Sequence, residues 1–369
     1  MGKITTEAWV LSNGLGRNEP GRLELETVTF SDISEEEVLA EPVYGCWEGN
    51  MSHAINRNPI DVCLARQEEK VVLGNAGVVR ILKAGATVKH IKAGDHCLVF
   101  CNGVWDDAGY PVKILAYDAP QTMGVLAKTT KLHWQQVLPI PRDTCFSLPQ
   151  WAAFSLRYMT AYANWQVAYG CWRTQMKNTN PQDVFVCAWG GGVALAEVTL
   201  AKLMGCQVAM VASTPERLAL LHGLGIIPID RRGLDGVAFE ERFLDLIYTK
   251  TAGKGVSIFI DNIGAPVYKL TIKALARQGV ITTSGWKHGA VLPISRAMEC
   301  INRHLYVHTH YARYAEGLEA MDLAQQHQWI APITADEKIY TWDEIPRLVE
   351  DYASGQLTTY FPIFSINRC

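Results

Sequence analysis

The sequence predicts an α/β protein in which a doubly wound parallel sheet is joined to a β-rich domain. Three observations indicate this fold class. A glycine cluster at 190–192 lies between an apolar strand pattern and an amphipathic helix pattern. Helix and strand patterns then alternate along the chain, as they do in parallel sheets. In the first 120 residues, by contrast, short strand patterns follow one another with glycine turns between them.

The glycine cluster belongs to a predicted β-α-β unit. Residues 184–187 form an apolar, β-branched run, a helix pattern follows the glycines, and Gly205 is placed to end that helix. A second apolar run at 208–212 completes the unit. Glycines let the backbone approach a pyrophosphate, and the free N–H groups at a helix start face its charge. The unit therefore predicts a dinucleotide site, with an ordinary β-α-β packing unit as the alternative.

The end of the second strand indicates which dinucleotide is bound. NAD-binding units usually carry Asp or Glu there to hold the ribose 2′-hydroxyl, whereas this strand ends in Ser213 and Thr214, with Arg217 following. Two hydroxyls and a guanidinium suit a 2′-phosphate, so the sequence favours NADPH over NADH. Ser213 also fits a helix N-cap with Glu216 as its capping-box partner, and both interpretations can hold together.

Composition and charge exclude several function classes. The chain has 369 residues, 49% of them hydrophobic, and a formal net charge of −3 at pH 7. It has no basic excess of the kind that nucleic-acid-binding proteins carry, and no apolar run long enough to span a membrane. The N-terminal segment lacks an apolar signal pattern, and the 10 cysteines form no CxxC pair. We therefore expect a cytoplasmic protein with reduced cysteines and with neither a nucleic-acid nor a membrane partner.

The order of the patterns predicts three segments. Residues 1–155 are expected to form the β-rich catalytic domain, 156–328 the dinucleotide-binding domain, and 329–369 a C-terminal return to the catalytic domain. Residues 45–59 are polar and predict a loop over a site, and residues 149–175 predict one long helical stretch.

Four stretches resemble the medium-chain dehydrogenase/reductase superfamily across nearly the whole chain. They are GNAGVV followed by AGDHCLVF, MTAYANW, AWGGGVALAEVTLAKLMGC, and VEDYASGQ with TTYFPIF. The resemblance implies a Rossmann dinucleotide-binding domain and a GroES-like catalytic domain. The chain departs from the superfamily pattern at Ala188 and Ala194, where glycines are usual, and at the bulky Trp189.

Within the superfamily the chain looks most like the crotonyl-CoA reductase/carboxylase branch. ILAYDAP resembles the branch's GFET segment, with Tyr117 and Asp118 in the Phe-Glu places. TTSGWKHG resembles its TSGYxH segment and places His288 on the substrate or CO₂ histidine. The branch's Asn-Tyr-Asn segment is Cys46-Trp47-Glu48 here, so the resemblance implies a carboxylating site that is only half present.

The glycine pattern and the resemblance together predict the cofactor-binding residues. The resemblance places Thr160 near the nicotinamide, with a buried helix threonine as the alternative, and VASTPER and IIPIDRR resemble NADPH-site segments of the branch. The full predicted set is Thr160, Gly190, Gly191, Gly192, Val193, Ser213, Thr214, Arg217, Asp230, Arg231, Asn262, Ile263, Ser284 and Gly285.

Zinc-dependent members of the superfamily bind their metal through a cysteine, a histidine in a Gly-His-Glu turn, and a later Cys or Asp. Cys46 is a candidate first ligand, but the turn is Gly74-Asn75-Ala76 in this chain. Cys97 and Cys101 alone do not supply the four ligands of a structural zinc site. We therefore expect no metal, and Cys46 also lacks an evident adjacent base that would make it a nucleophile.

The chemistry that remains is hydride transfer from NADPH, with the protein supplying position and electrostatics. We expect reduction of an activated C=C bond in an enoyl thioester, held on CoA or on a carrier protein, with a proton rather than CO₂ delivered to Cα. The enolate needs stabilisation and a proton donor, for which the candidates are His288, Tyr117, Asp118, Glu48 and His53.

Several alternatives stay open. The chain could be a quinone or enone reductase, an alcohol dehydrogenase that has lost its zinc, a reductive carboxylase, or a non-catalytic nucleotide-binding scaffold. His288 also fits a solvated loop histidine, and Asp118 a turn residue. Residues 305–312 predict an edge strand of the parallel sheet. Because superfamily reductases commonly pair this edge across a two-fold axis, we expect a homodimer or a dimer of dimers.

Overall fold

A computed structural model describes residues 2–12, 19–232, 237–285, 291, 293–308 and 310–367. The chain divides into two compact units. The first unit comprises Met1–Met159, Arg313–Leu357 and Phe361–Cys369, and the second comprises Thr160–Ala312 and Thr358–Tyr360.

These limits lie at residues 159 and 312, whereas the sequence predicted domain limits at 155 and 328. The helix Tyr314–His327 accounts for the second difference, because the Tyr314 hydroxyl donates a 3.1 Å hydrogen bond to the Val137 carbonyl of the first unit. The ranges 1–155, 156–328 and 329–369 stay predictions of domain extent.

The strands and helices are numbered here in chain order. The strands are β1 (Lys3–Ser12), β2 (Arg22–Ser31), β3 (Glu37–Cys46), β4 (Lys70–Val72), β5 (Gly77–Ala84), β6 (His96–Val99), β7 (Asn102–Trp105), β8 (Pro111–Ile114), β9 (Thr130–His133), β10 (Val137–Pro139), β11 (Phe185–Trp189), β12 (Gln207–Ala212), β13 (Ile227–Asp230), β14 (Val256–Asp261), β15 (Leu275–Thr282), β16 (Tyr306–His308) and β17 (Ile363–Ser365). The α-helices are α1 (Gly49–Asn56), α2 (Val62–Arg66), α3 (Leu148–Phe154), α4 (Arg157–Gln175), α5 (Gly192–Leu203), α6 (Pro215–Gly223), α7 (Val237–Lys250), α8 (Ala265–Ala274), α9 (Tyr314–His327) and α10 (Ile345–Ala353).

The first unit is built from antiparallel sheets. Its main sheet has the strand order β10-β6-β5-β3-β17, and β9 pairs with β3 as well. Separate pairings form the sheets β2-β1-β4 and β7-β8. Along β5 the buried Val79 and Ile81 flank the exposed Arg80, which is the alternation expected of a sheet with one face on a core. That core includes Trp47 and Phe364, so the C-terminal segment packs into this unit.

The second unit is a parallel sheet with helices between its strands. In the described residues its order is β13-β12-β11-β14-β15-β16, the arrangement of a doubly wound dinucleotide-binding fold. Every residue of β14 is buried, as expected of a strand covered on both faces. The predicted fold class is confirmed: a Rossmann domain joined to a β-rich GroES-like domain.

The edge strand predicted at 305–312 is confirmed as β16 (Tyr306–His308), which within the described residues pairs only with β15. None of the helices in the described ranges combines the length and the apolar character needed to cross a membrane.

The structure corrects the predicted loop at 45–59. Its first residues complete β3, and the helix α1 follows. Met51 and Ala54, three positions apart, form a buried stripe on that helix, and Arg57 ends it in the left-handed conformation with φ 55°. Polar residues lie on either side of these two positions, so an analysis based on long apolar runs does not predict this helix.

The single helical stretch predicted at 149–175 is also wrong, because the chain leaves the helical conformation at Ser155. The Ser155 hydroxyl donates to the Val99 carbonyl at 2.6 Å and accepts the Gly77 amide at 3.1 Å. These buried bonds to two strands of the first unit hold Ser155 at φ −38° and ψ −163°, so α3 ends there and α4 begins at Arg157.

Candidate functional site

The glycine turn between β11 and α5 has the geometry that anion binding requires. Gly190 adopts φ +139°, and a Cβ there would lie 3.1 Å from the Ala194 Cβ and 3.2 Å from the Asn262 Cβ. Gly191 is the N-cap of α5 and provides no side-chain acceptor, so no side chain caps the first amides of this helix. Helix α5 starts at Gly192, followed by the half-buried Val193. The turn therefore places main-chain N–H groups at a helix start, an arrangement that can bind an anion.

Trp189, the bulky residue before this turn, is directed into the core of the second unit. Its indole Nε1 donates to the Thr271 hydroxyl at 2.7 Å, and that hydroxyl donates to the Asp261 carboxylate at 2.8 Å. Its ring lies 5.4 Å from that of Phe259 and 4.9 Å from that of Phe243. The large side chain at position 189, which departs from the superfamily pattern, is therefore accommodated by packing in the core of the second unit.

The predicted 2′-phosphate residues lie at the end of β12. Thr214, and not Ser213, is the N-cap of α6: its hydroxyl accepts the Arg217 amide at 3.3 Å, which corrects the predicted cap. Ser213 is exposed. The Arg217 guanidinium donates to the carbonyls of Thr358 and Thr359 at 2.9 and 3.0 Å.

Asp230 and Arg231 follow the neighbouring strand end. The Arg231 amide donates to the Ala212 carbonyl at 3.2 Å, which joins the ends of β13 and β12. The Asp230 carboxylate accepts from Arg232 at 2.8 Å, and these hydrogen bonds lower its pKa to about 2. Arg232 was not among the predicted site residues.

The remaining predicted cofactor residues cluster at the ends of β14 and β15. The Asn262 side-chain oxygen accepts from the Ser284 amide at 2.9 Å and from its hydroxyl at 3.2 Å. The Ile263 amide donates to Asp261 at 3.1 Å, and the Gly285 carbonyl accepts from a threonine hydroxyl at 3.1 Å. Thr160 is half-buried on α4.

In the first unit, two predicted residues, Cys46 and Glu48, meet an arginine that the sequence analysis missed. The Arg157 guanidinium donates to the Cys46 sulfur and, at 2.8 Å, to the Trp47 carbonyl. Its Nη1 lies 2.7 Å from Glu48 Oε1, a distance that makes an ion pair although the angles are not those of a hydrogen bond. The available signal in the sequence was an arginine at the first position of α4, directly before Tyr158 and Met159.

Burial controls the titration of this cluster. It raises the pKa of Glu48 to about 7, against the opposing effect of the Arg157 charge. It raises the pKa of the Cys46 thiol to about 12, so this cysteine is a neutral thiol at pH 7. The thiol therefore lacks the thiolate character of a nucleophile.

The other predicted catalytic residues lie in different places. Tyr117 is buried in the same core as Trp47, and the Asp118 carboxylate accepts the Ile114 amide at 2.6 Å, which is the role of a turn residue. His53 is half-buried on α1. His288 lies outside the described residues.

Comparisons with known proteins agree with this architecture. Residues 192–326 match the zinc-binding dehydrogenase family. The chain is 26% identical over 271 residues to squalestatin tetraketide synthase clz2 from Cochliobolus lunatus, covering 72% of this chain but spanning only 9% of that synthase. It is 26% identical over 247 residues to quinone oxidoreductase-like protein 2 homolog from Nematostella vectensis, covering 65% of this chain and 58% of that protein.

A solved structure with the same fold is the crotonyl-CoA carboxylase/reductase AntE in complex with NADP. It aligns with a TM-score of 0.79 at 19% identity, over 99% of this chain and 95% of that chain. Residues 192–326 are therefore similar to a zinc-binding dehydrogenase domain, and the chain as a whole has the fold of the crotonyl-CoA carboxylase/reductase AntE.

Proposed function

We propose that the chain is an NADPH-dependent reductase of an activated C=C bond, acting without zinc on an enoyl thioester held on CoA or on a carrier protein. The observation that carries the proposal is the glycine turn that joins β11 to α5. Gly191 provides no side-chain cap there, so the main-chain N–H groups at the start of α5 can bind a phosphate. The similarity to AntE, a crotonyl-CoA carboxylase/reductase solved in complex with NADP, supports the same cofactor and substrate class here.

The choice of NADPH is supported by the side chains around the end of β12. Ser213 and Thr214 bring hydroxyls to this strand end, and Arg217 lies in the first turn of the following helix. Arg231 is exposed at the end of the neighbouring strand, and the carboxylate of Asp230 is neutralised by Arg232. A 2′-phosphate would meet hydroxyls and guanidinium groups here.

Zinc does not fit the donors of this chain. The Cys46 sulfur accepts from the Arg157 guanidinium, which already supplies a cation next to the thiol and Glu48. Asn75 is the residue where zinc-dependent relatives carry histidine, and an amide is a poor zinc ligand. The described residues contain no group of three or more His, Cys, Asp or Glu side chains that could hold a metal ion.

The bound cofactor would supply the hydride that adds at Cβ of the enoyl thioester. The chain's own task is to bind both partners, to stabilise the negative charge on the thioester oxygen, and to deliver a proton to Cα. The candidates for these two roles are Glu48, whose pKa is about 7, and Tyr117. His288, which lies outside the described residues, is a third candidate. Asp118 is occupied by the Ile114 amide, so it is poorly placed to hold CO₂, and we propose simple reduction.

A second candidate, reduction of free enones or quinones, is favoured by the similarity to a quinone oxidoreductase-like protein. NADPH consumption with crotonyl-CoA, a free enone and a quinone separates the two. We expect the highest kcat/KM with the thioester; a preference for the quinone or the free enone would overturn the substrate assignment.

We further propose a cytoplasmic homodimer paired through β16. The cysteines within the described residues are all free thiols, which fits a reducing compartment. Among the strands that the structure describes, β16 lies at the edge of the sheet with no partner on its outer side, and Tyr306 on it is 43% exposed. Light scattering at micromolar concentration should give the dimer mass, and a monomer mass would contradict the pairing.

A further inference from the structure

The guanidinium of Arg66, at the end of α2, is buried but only partly hydrogen-bonded. Its side chain is 1% exposed. Its Nη2 donates to the Glu68 carboxylate at 2.7 Å and to the Thr122 carbonyl at 2.8 Å. An arginine has five N–H groups, and the three on Nε and Nη1 find no acceptor in the part of the chain that the structure describes. Buried donors are nearly always hydrogen-bonded in native proteins, so this arginine indicates an acceptor that the chain itself does not supply.

Arg66 lines an open pocket of about 220 Å³ in the first unit. One wall of this pocket is the sheet β2-β1-β4. Val10 on β1 and Val72 on β4 are register partners, and both line the pocket. Val28 and Phe30 on β2 lie on the same face of the sheet, because side chains alternate along a strand. This wall of the pocket is therefore apolar.

A second wall is the turn at 121–123, which Arg66 itself helps to hold. Besides the bond from Arg66 to the Thr122 carbonyl, the Glu68 carboxylate accepts the Gln121 amide at 2.6 Å. The Thr122 hydroxyl accepts the Ala116 amide at 2.9 Å. The pocket is therefore bounded by a sheet and a braced turn, so a ligand meets groups that are already in place.

The charges around the pocket suit a singly charged anion. The lining contains three basic side chains and one acidic side chain, namely Arg66, Lys70, Lys131 and Glu68. Lys70 Nζ lies 2.5 Å from the Glu26 carboxylate, and Lys131 Nζ lies 3.7 Å from that of Glu37. Because each lysine has an acidic partner outside the lining, a phosphate dianion would meet too little positive charge, whereas one carboxylate can accept from Arg66.

The size of the pocket limits the rest of the ligand. A volume of about 220 Å³ corresponds to about seven water molecules of about 30 Å³ each, which is room for a carboxylate and a short alkyl chain. We propose that this pocket binds a short-chain monocarboxylate, with its carboxylate on Arg66 and its alkyl chain on Val10, Val28 and Val72. None of the lining residues belongs to the predicted cofactor or catalytic set, so the inference goes beyond the proposed function and does not depend on it.

The first test compares three ligands of the intact chain by calorimetric titration at pH 7. Hexanoate carries both the carboxylate and the alkyl chain, hexan-1-ol lacks the charge, and inorganic phosphate lacks the chain. We expect hexanoate to bind at least about 10-fold more tightly than either of the others. Equal affinities for hexanoate and hexan-1-ol, or tighter binding of phosphate, would overturn the assignment of the ligand class.

The second test locates the bound hexanoate. We expect Arg66→Met to weaken hexanoate binding about 10- to 100-fold. Because Arg66 also holds the turn at Thr122, a second variant leaves it in place. Val28→Trp fills the pocket from a half-buried strand position, and we expect a similar loss of hexanoate binding with an unfolding temperature close to that of the wild-type chain.

The matched control is Arg142→Met, which removes an arginine whose side chain is 81% exposed and which does not line the pocket. We expect this variant to bind hexanoate as the wild-type chain does. A folded Val28→Trp variant with unchanged hexanoate affinity would overturn the inference, and so would an equal loss of affinity in Arg142→Met and Arg66→Met.

Discussion

Arg157 Nη1 lies 2.7 Å from Glu48 Oε1, and both side chains are more than nine-tenths buried. Removing Arg157 leaves the buried Glu48 either to carry an uncompensated charge or to take up a proton, and both cost stability, so we expect Arg157→Met to lower the free energy of unfolding by about 3–5 kcal/mol. Urea denaturation measures the change.

The matched control for this prediction is the double variant Arg157→Met with Glu48→Gln. It removes both charges, and we expect it to be more stable than Arg157→Met alone. Equal stabilities of the single and double variants would show that Glu48 is not destabilising once Arg157 is removed, which contradicts the prediction.

Glu197 gives a prediction about pH. This residue of α5 is fully buried, its carboxyl oxygens have no partner within the described ranges, and burial raises its pKa well above the ordinary value of 4.5. The folded chain therefore keeps a proton that the unfolded chain releases above about pH 4.5, so this residue makes the protein less stable as the pH rises.

Glu197→Gln removes that titration while keeping the shape of the side chain. We expect the free energy of unfolding of the variant, relative to the wild-type chain, to increase as the pH rises above about 4.5. Denaturation curves at a series of pH values measure it. A difference that stays constant over this range would mean that Glu197 is ionised in the folded protein.

Arg217 tests the choice of cofactor. Losing a charge-assisted contact costs about 1.5–3 kcal/mol, so Arg217→Ala should weaken NADPH binding about 10- to 100-fold. NADH, which has no 2′-phosphate, should bind almost as before. Because the guanidinium also binds the carbonyls of Thr358 and Thr359, stability is expected to fall as well, and the comparison of the two nucleotides isolates the phosphate contact. Equal losses for NADPH and NADH would remove Arg217 from the 2′-phosphate site.

The parallel sheet could be predicted from the sequence because its signals are local. An apolar strand pattern, Gly190 to Gly192 and a helix pattern ending at Gly205 define a β-α-β unit without knowledge of distant contacts. The helix boundaries that failed depend on tertiary contacts instead. Ser155 interrupts a helix pattern through hydrogen bonds to Val99 and Gly77, which sequence periodicity does not contain.

The polar clusters could be predicted only in part for the same reason. Cys46 and Glu48 were identified through a resemblance, but Arg157 is 111 positions from Cys46 in the sequence, and no local pattern joins them.

The most direct test of the proposed reaction follows deuterium from NADPH labelled at nicotinamide C4 into an enoyl thioester. Crotonyl-CoA is incubated with the chain in bicarbonate buffer, each C4 epimer of the labelled cofactor is used separately, and the products are weighed by mass spectrometry. We expect a saturated acyl thioester that gains one deuterium from one epimer only and no CO₂. A product that carries added CO₂ would contradict simple reduction, and an unreacted thioester with unconsumed NADPH would contradict the reductase itself.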